Sequence, residues 1–421
     1  MRILIAGAGI GGLALAQALR RTGMDVSVYE RDPSPRTRNQ GYRIHIDPNG
    51  NAALRACLPP PVLDLARDTS GAQGDLVAFY TQELEQISAQ VFPDVPSSDI
   101  TNVDRETFRL ALLSGLNITY GRTVTGYELT PAGRVRVFYE QRDPDPAPSA
   151  AEPVVGRGSR EGGLRDPSEA GAAASGGSRE GGLRGPSSAA AAVGGGVEEV
   201  DLLVGADGVG SAVRRQLVPS AALRDLGLRC LYGRMPLDGA ALPPDFDRGF
   251  CWVSGTNGYG AGFAPVRFRT VTQTPDYLMT TLVAPASVLG SLALPSPSLW
   301  QICMDATATW HPAVRRLFEQ ADRTSFFPIT LRAGTRVEPW TPGPVTLLGD
   351  AIHTMPPAGG VGANTALQDA ALLAAELLSG KPLREAVAAY ESVMLPRGFD
   401  TVDNSVRMIG QMVPQPSGRP S

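Results

Sequence analysis

Near the start of the chain, Gly7-Ala8-Gly9-Ile10-Gly11-Gly12 forms a G-x-G-x-x-G turn between an apolar run, Ile3 to Ala6, and a helical apolar pattern that continues through Leu19. Gly7 permits the tight turn, Gly9 lets the backbone approach a pyrophosphate, and Gly12 lets helix and strand pack closely. The helix N-terminus then stabilises the phosphate charge. Ile10 and Gly11 complete this cofactor-binding turn. Glu30 closes the next strand-like run, Val26 to Glu30, where an acid accepts the ribose hydroxyls of a dinucleotide. Its charge repels a 2′-phosphate, so this site suits FAD or NAD better than NADP. Arg31 either lies against the adenine or is a solvated charge at a strand end.

Two later segments narrow the cofactor. VGADGVGSAVR, Val204 to Arg214, and LLGDAIHTMPPAGGVGANTALQDA, Leu347 to Ala370, closely resemble the paired Asp-Gly and Gly-Asp motifs of class A FAD-dependent monooxygenases of the para-hydroxybenzoate hydroxylase type. With the N-terminal turn they follow the family's order and enclose most of the chain. The resemblance implies an α/β fold in which a Rossmann-like FAD-binding domain carries an inserted antiparallel-sheet substrate domain. It also implies a flavin, reduced by NADPH or NADH as a transient co-substrate, that reacts with dioxygen and passes one oxygen atom to a small organic molecule.

The same resemblance assigns site residues, with physical support. Asp350, at a strand end, accepts from a ribityl hydroxyl, while Gly359, Gly360 and Gly362 permit close backbone approach. Amides at the start of the helix beginning near Asn364 face the pyrimidine edge of the flavin, where their partial positive charge favours the anionic reduced form. Asp207 and Gly208 match the motif associated with FAD and NAD(P)H, or Asp207 braces a turn while Ser211 caps the next helix. Arg105, within VDRETFRLALLSGL, matches an arginine that reaches the FAD phosphate and ribose, its alternative being a solvated charge. Val124 corresponds to a position bordering the adenine, or is core. In GYRIHI, Gly41 to Ile46, the family chain runs close to the flavin, so Arg43 contacts cofactor or substrate, unless Arg43 and His45 are ordinary strand residues. His353 reads as a packing and loop-shaping residue rather than a base. No catalytic acid or base is identifiable.

Composition sets the surroundings. The 421 residues carry a formal net charge of -4 with no basic cluster, which argues against nucleic acid or an anionic membrane as partner and for a small-molecule substrate. The one lysine is Lys381, the other basic residues being arginine, so a halogenase with an active-site lysine is disfavoured. Cys57, Cys230, Cys251 and Cys303 are widely spaced and read as reduced thiols. Metal and nucleophile-elbow spacings are missing, and no apolar stretch spans a bilayer, so the expectation is a metal-free cytoplasmic protein without stable membrane association.

The organisation follows from pattern shifts. Residues 1–142 and 197–227 form the first parts of the FAD-binding domain and 336–400 its last part, with 401–421 a C-terminal tail. Residues 143–196 collapse into Gly, Ala, Ser, Pro, Arg and Glu around an imperfect repeat, GSREGGLRDPS then GSREGGLRGPS, and read as a disordered insertion between two strands of a hairpin. Residues 228–335 read as a substrate-binding antiparallel sheet, with Thr256-Asn257-Gly258 as a hairpin turn. Trp252, Tyr259, Phe263, Tyr277 and Met279 are either its core or its substrate wall. GYRIHIDPNG resembles antibiotic-tailoring members, pointing to a hydrophobic aromatic or polyketide-type substrate that is hydroxylated or epoxidised. The competing readings are a reductase or dehydrogenase on the same fold, and a flavin-binding scaffold without turnover.

Overall fold

Short apolar runs buried on both faces are what the middle of a parallel sheet requires, and Arg2–Ala6 and Leu202–Gly205 occupy that place. The computed structural model describes residues 1–36, 42–92, 95–142, 193–290 and 292–413. Within them a five-stranded parallel sheet runs in the order Val345–Leu347, Leu202–Gly205, Arg2–Ala6, Asp25–Glu30, Ile118–Tyr120. The helices Ile10–Arg20 and Gly362–Leu378 pack on one another beside it. Their apolar faces, with Leu13, Leu367 and Leu373 wholly buried, join the sheet in one large core.

A three-stranded antiparallel sheet, Arg122–Leu129, Val135–Arg142 and Val193–Val200, lies alongside. Val193 faces Arg142 across the ladder, so residues 143–192 do join two strands of one hairpin. Those residues, read above as disordered, lie outside the described residues. Residues 193–196, placed by composition in the insertion, are instead already strand. Glycines conceal such a strand because they contribute ladder hydrogen bonds without a side-chain signal.

The third layer is a seven-stranded sheet ordered Phe327–Gly334, Leu223–Pro236, Tyr277–Pro285, Gly260–Val266, Gly249–Ser254, Leu76–Thr81, Gln86–Val91. As expected, Gly249–Ser254 and Gly260–Val266 pair antiparallel around Thr256–Gly258. Two strands come from residues 76–91, which had no clear pattern, and the pairing of Leu76–Thr81 with Gly249–Ser254 is parallel. The sheet is thus built from two distant stretches rather than from 228–335 alone. Helices Ser296–Ala306 and Pro312–Glu319 cover one face through Leu299, Cys303, Leu317 and Phe318.

Strand alternation sorts the five wall candidates. Phe263 and Tyr259 pack in the helix-covered core, so neither belongs to the wall. Trp252, Tyr277 and Met279 face the other way, toward the flavin-domain side, with Tyr232 and Phe250. The hairpin-like pair Arg43–His45 and Asn102–Asp104 lies between the layers.

A 30-residue helix, Leu383–Met412, spans both cores: Tyr390, Met394 and Phe399 enter the flavin-domain core, and Ile409 packs with Trp252. Residues 401–412, expected as tail, are therefore helix, and 414–421 lie outside the described residues. Pro396 lies inside this helix, and the surrounding packing carries the helix through it. None of the described helices is long and apolar enough to cross a membrane.

Candidate active site

Open α/β sheets gather ligands outside the carboxyl ends of their strands. Here those ends deliver the Gly7–Gly12 turn, Glu30, the Ala206-Asp207-Gly208 turn and the Gly349-Asp350 turn. A cleft of about 440 Å³ opens between them, and Gly7, Gly9, Glu30, Arg31, Arg105, Val124, Asp207 and Gly208 all line it. Ile10, Gly11 and Gly12 stand just behind, in the first turn of the helix whose amides face the cleft.

The turn is shaped by contact. Gly7 has φ +109°, and a Cβ there would lie 2.3 Å from the Ala206 carbonyl oxygen. A Cβ on Gly9 would instead meet nothing within 4 Å, leaving its backbone open to a ligand.

Glu30 Oε2 accepts the Ala8 N–H at 2.9 Å and Oε1 the Asp32 N–H at 3.0 Å, so the carboxylate braces the loop it faces. Arg109 completes the brace: it lies 3.7 Å from Glu30 and donates to the carbonyls of Ala8 and Pro35 at 2.8 and 2.7 Å. This residue was missed, although its spacing of four from Arg105 put both on one helix face.

Arg105 opens the helix Arg105–Leu112, where the dipole disfavours a cation. Burial and the neighbouring Arg109 lower its pKa, while Asp350, Glu30 and Asp32 pull the other way. Its guanidinium therefore feels carboxylates from the cleft and from the neighbouring Gly349-Asp350 turn. Asp207 does brace a turn, Oδ2 accepting the Ala212 N–H at 2.7 Å while Ser211 caps the helix by accepting the Arg214 N–H at 2.9 Å. Its Oδ1 is buried with no hydrogen-bond partner among the described residues.

Asp350 stands in the neighbouring turn, outside the residues that line this cleft, and keeps solvent-accessible surface although protein surrounds it. Burial raises its pKa, opposed by His353 and Arg105. Gly359 and Gly360 adopt φ of +79° and +64°, and a Cβ on Gly360 would come 3.2 Å from the His45 Cβ. The Arg43–His45 strand thus passes directly against the glycine loop. Gly362 begins the helix Gly362–Leu378.

The Asn364 side chain is taken up by protein. Its amide donates to the carbonyls of His45 and Gly360 at 2.9 and 3.0 Å, and its oxygen accepts the Asp47 N–H at 3.1 Å. Only its backbone remains for a cofactor. Arg43 is partly exposed and does not line this cleft.

Beneath the Gly349-Asp350 turn lies a buried network centred on Asp369. It accepts the Gly349 N–H at 2.9 Å, meets His353 Nε2 at 2.5 Å and is gripped by Arg397 at 2.7 Å. His353 is accordingly a loop-shaping residue. Asp369 and Arg397 were not singled out, since a buried acid in a helix shows no sign of its distant partners.

Comparison with known proteins now bears on this geometry. Residues 305–405 match the model of an FAD binding domain and residues 5–56 that of an NAD(P)-binding Rossmann-like domain. The chain is 28% identical to a crystal structure assigned as an FAD-containing monooxygenase from Photorhabdus luminescens, with a TM-score of 0.75 over 98% of each chain. Over most of its length the chain is similar to FAD-dependent monooxygenases. An aurachin C monooxygenase/isomerase of Stigmatella aurantiaca is 26% identical over 98% of this chain and 89% of its own.

A dual O-methyltransferase/FAD-dependent monooxygenase of Cercospora beticola is 27% identical over 97% of this chain. The chain spans 46% of that relative's length. The cleft fits FAD: the open Gly9 cradle and the helix N-terminus suit a pyrophosphate, and Glu30 stands beside them where an adjoining ribose would lie.

Proposed function

We propose that the chain oxygenates a hydrophobic aromatic or polyketide-type small molecule, by hydroxylation or epoxidation, using FAD, NAD(P)H and dioxygen. The observation that carries this reading is the cleft at the Gly7–Gly12 turn, lined by Glu30, Arg105 and Asp207, with the charge of Asp350 reaching Arg105 from the neighbouring turn. Bound FAD supplies the electron transfer and oxygen activation.

The chain's own residues bind and orient. The Gly7–Gly12 amides and helix dipole hold the pyrophosphate, Glu30 the adenosine ribose, and Arg31 and Val124 border the adenine. Arg105 reaches the phosphates and Asp350 a ribityl hydroxyl. Gly360, Gly362 and the backbone of Asn364 approach the pyrimidine edge. Trp252, Tyr277 and Met279 exclude water on the substrate side. NAD(P)H visits transiently, because the chain has one dinucleotide turn.

The names of relatives support the substrate class: besides the aurachin enzyme, a 2-heptyl-3-hydroxy-4(1H)-quinolone synthase of Rhodococcus erythropolis is 25% identical over 92% of this chain. The purified protein should show a bound-flavin absorbance spectrum and NAD(P)H-dependent oxygen uptake stimulated by phenolic or polyketide compounds. Labelled oxygen in the product establishes the activity. Flavin reduction without incorporation shifts the reading to a reductase, and a protein unable to bind flavin defeats it.

A further inference from the structure

The strand Arg43–His45 alternates as strands do. Ile44 packs on the flavin-domain core, so Arg43 and His45 project from the opposite side. His45 abuts Gly360, and Arg43 lies two residues before it, beside Tyr277.

Around Arg43 every nearby acceptor is spent. Asp104, its partner in strand register, accepts the Thr107 N–H at 2.9 Å through Oδ1 and the Tyr277 hydroxyl at 2.9 Å through Oδ2. Among the described residues, no carboxylate lies within ion-pair distance of Arg43, and its Nε is sealed from solvent without a hydrogen-bond partner. A second arginine, Arg234, approaches the same Tyr277 and stands 5.6 Å over the Tyr42 ring. Two cations thus approach Tyr277, whose hydroxyl already donates to Asp104.

We propose that Arg43 recognises a carboxylate on the aromatic substrate, placing it against the face formed by Tyr277 and Met279. A guanidinium is a planar fork matched to a carboxylate, and in a desolvated aromatic setting that pairing is strong enough to select among substrates. Burial pushes the Arg43 pKa down to about 10, so the group remains cationic at neutral pH. Arg43 is absent from the lining of the cleft that takes the nucleotide half of FAD, which favours substrate over cofactor phosphate.

The inference rests on the reading of this cleft as the flavin site. It is tested by calorimetric titration of the FAD-loaded protein with 1-hydroxy-2-naphthoate and with its amide, 1-hydroxy-2-naphthamide. The acid should bind at least about tenfold tighter, as a hydrogen bond to a charged group is worth. Arg43→Gln should abolish that preference with flavin content unchanged, and Arg43→Lys should restore part of it. Equal affinities in the unmodified protein, binding of neither probe, or a preference that survives Arg43→Gln overturns the proposal. So does a loss of flavin in Arg43→Gln with the preference intact, which assigns Arg43 to the cofactor. Failure of the unmodified protein to bind FAD is a different result and counts against the cofactor assignment.

Discussion

At the scale of single residues, the site depends on charges held by unequal surroundings. Asp350 is the acid assigned to a ribityl hydroxyl and has no salt-bridge partner among the described residues, so Asp350→Ala should weaken FAD binding about tenfold or more while leaving the fold intact. Fluorescence titration of the apoprotein with FAD checks this, and an unchanged affinity removes Asp350 from the site. The buried pair beneath it has a pH signature. Asp369 raises the pKa of His353 above its ordinary 6.5, outweighing burial, and His353 with Arg397 lowers that of Asp369 below 3.8 despite burial. The His353 contribution to stability is full below pH 6.5 and fades as pH rises through its folded pKa. The Asp369 contribution is full above pH 3.8 and fades as pH falls through its own. The Tm difference between the unmodified protein and His353→Gln should therefore be largest between pH 3.8 and 6.5 and shrink above it. A difference independent of pH would mean that His353 has the same pKa folded as unfolded, and one that grows as pH rises would mean that it is held neutral in the folded state.

At the scale of elements, the first turn works because two backbone segments come together. Gly7→Ala must accommodate φ of +109° and a methyl 2.3 Å from the Ala206 carbonyl. It should destabilise the protein by about 2 kcal/mol or more and release FAD, as thermal unfolding with and without FAD would show. An unaltered Tm would mean that the segment carrying Asp207 is free to withdraw. The motif pattern made this turn legible: strand, glycines, helix and Glu30 all lie within about 30 consecutive residues, the span of one βαβ unit. Leu76–Thr81 was illegible for the opposite reason, since its parallel partner Gly249–Ser254 lies far away in sequence, and its local partner Gln86–Val91 is exposed throughout and shows no apolar alternation.

At the scale of the whole molecule, the helix Leu383–Met412 ties the parallel-sheet core to the aromatic sheet. Val402 belongs to the first core, Ile409 and Val413 to the third, and the Trp252 indole donates to the Met412 carbonyl at 3.3 Å. Ending the chain after residue 400 should expose the back of the substrate face, lower Tm by several degrees and broaden or split the unfolding transition. Differential scanning calorimetry distinguishes this from a dispensable tail, for which the trace would not change.

By itself the sequence determined the cofactor turn, the order of the three motifs and hence the resemblance to FAD-dependent monooxygenases, because each is a local chemical requirement written in adjacent residues. It also placed Glu30, Arg105, Asp207 and Gly208 on a common cleft, where the structure brings them together. Only the tertiary structure decided that Asn364 is consumed by the backbone of His45, that Arg109 braces Glu30, and that Phe263 turns away from the substrate side. Those outcomes depend on which distant segments share a contact and which face of a strand meets them. Such long-range packing leaves no periodicity in the chain that records it.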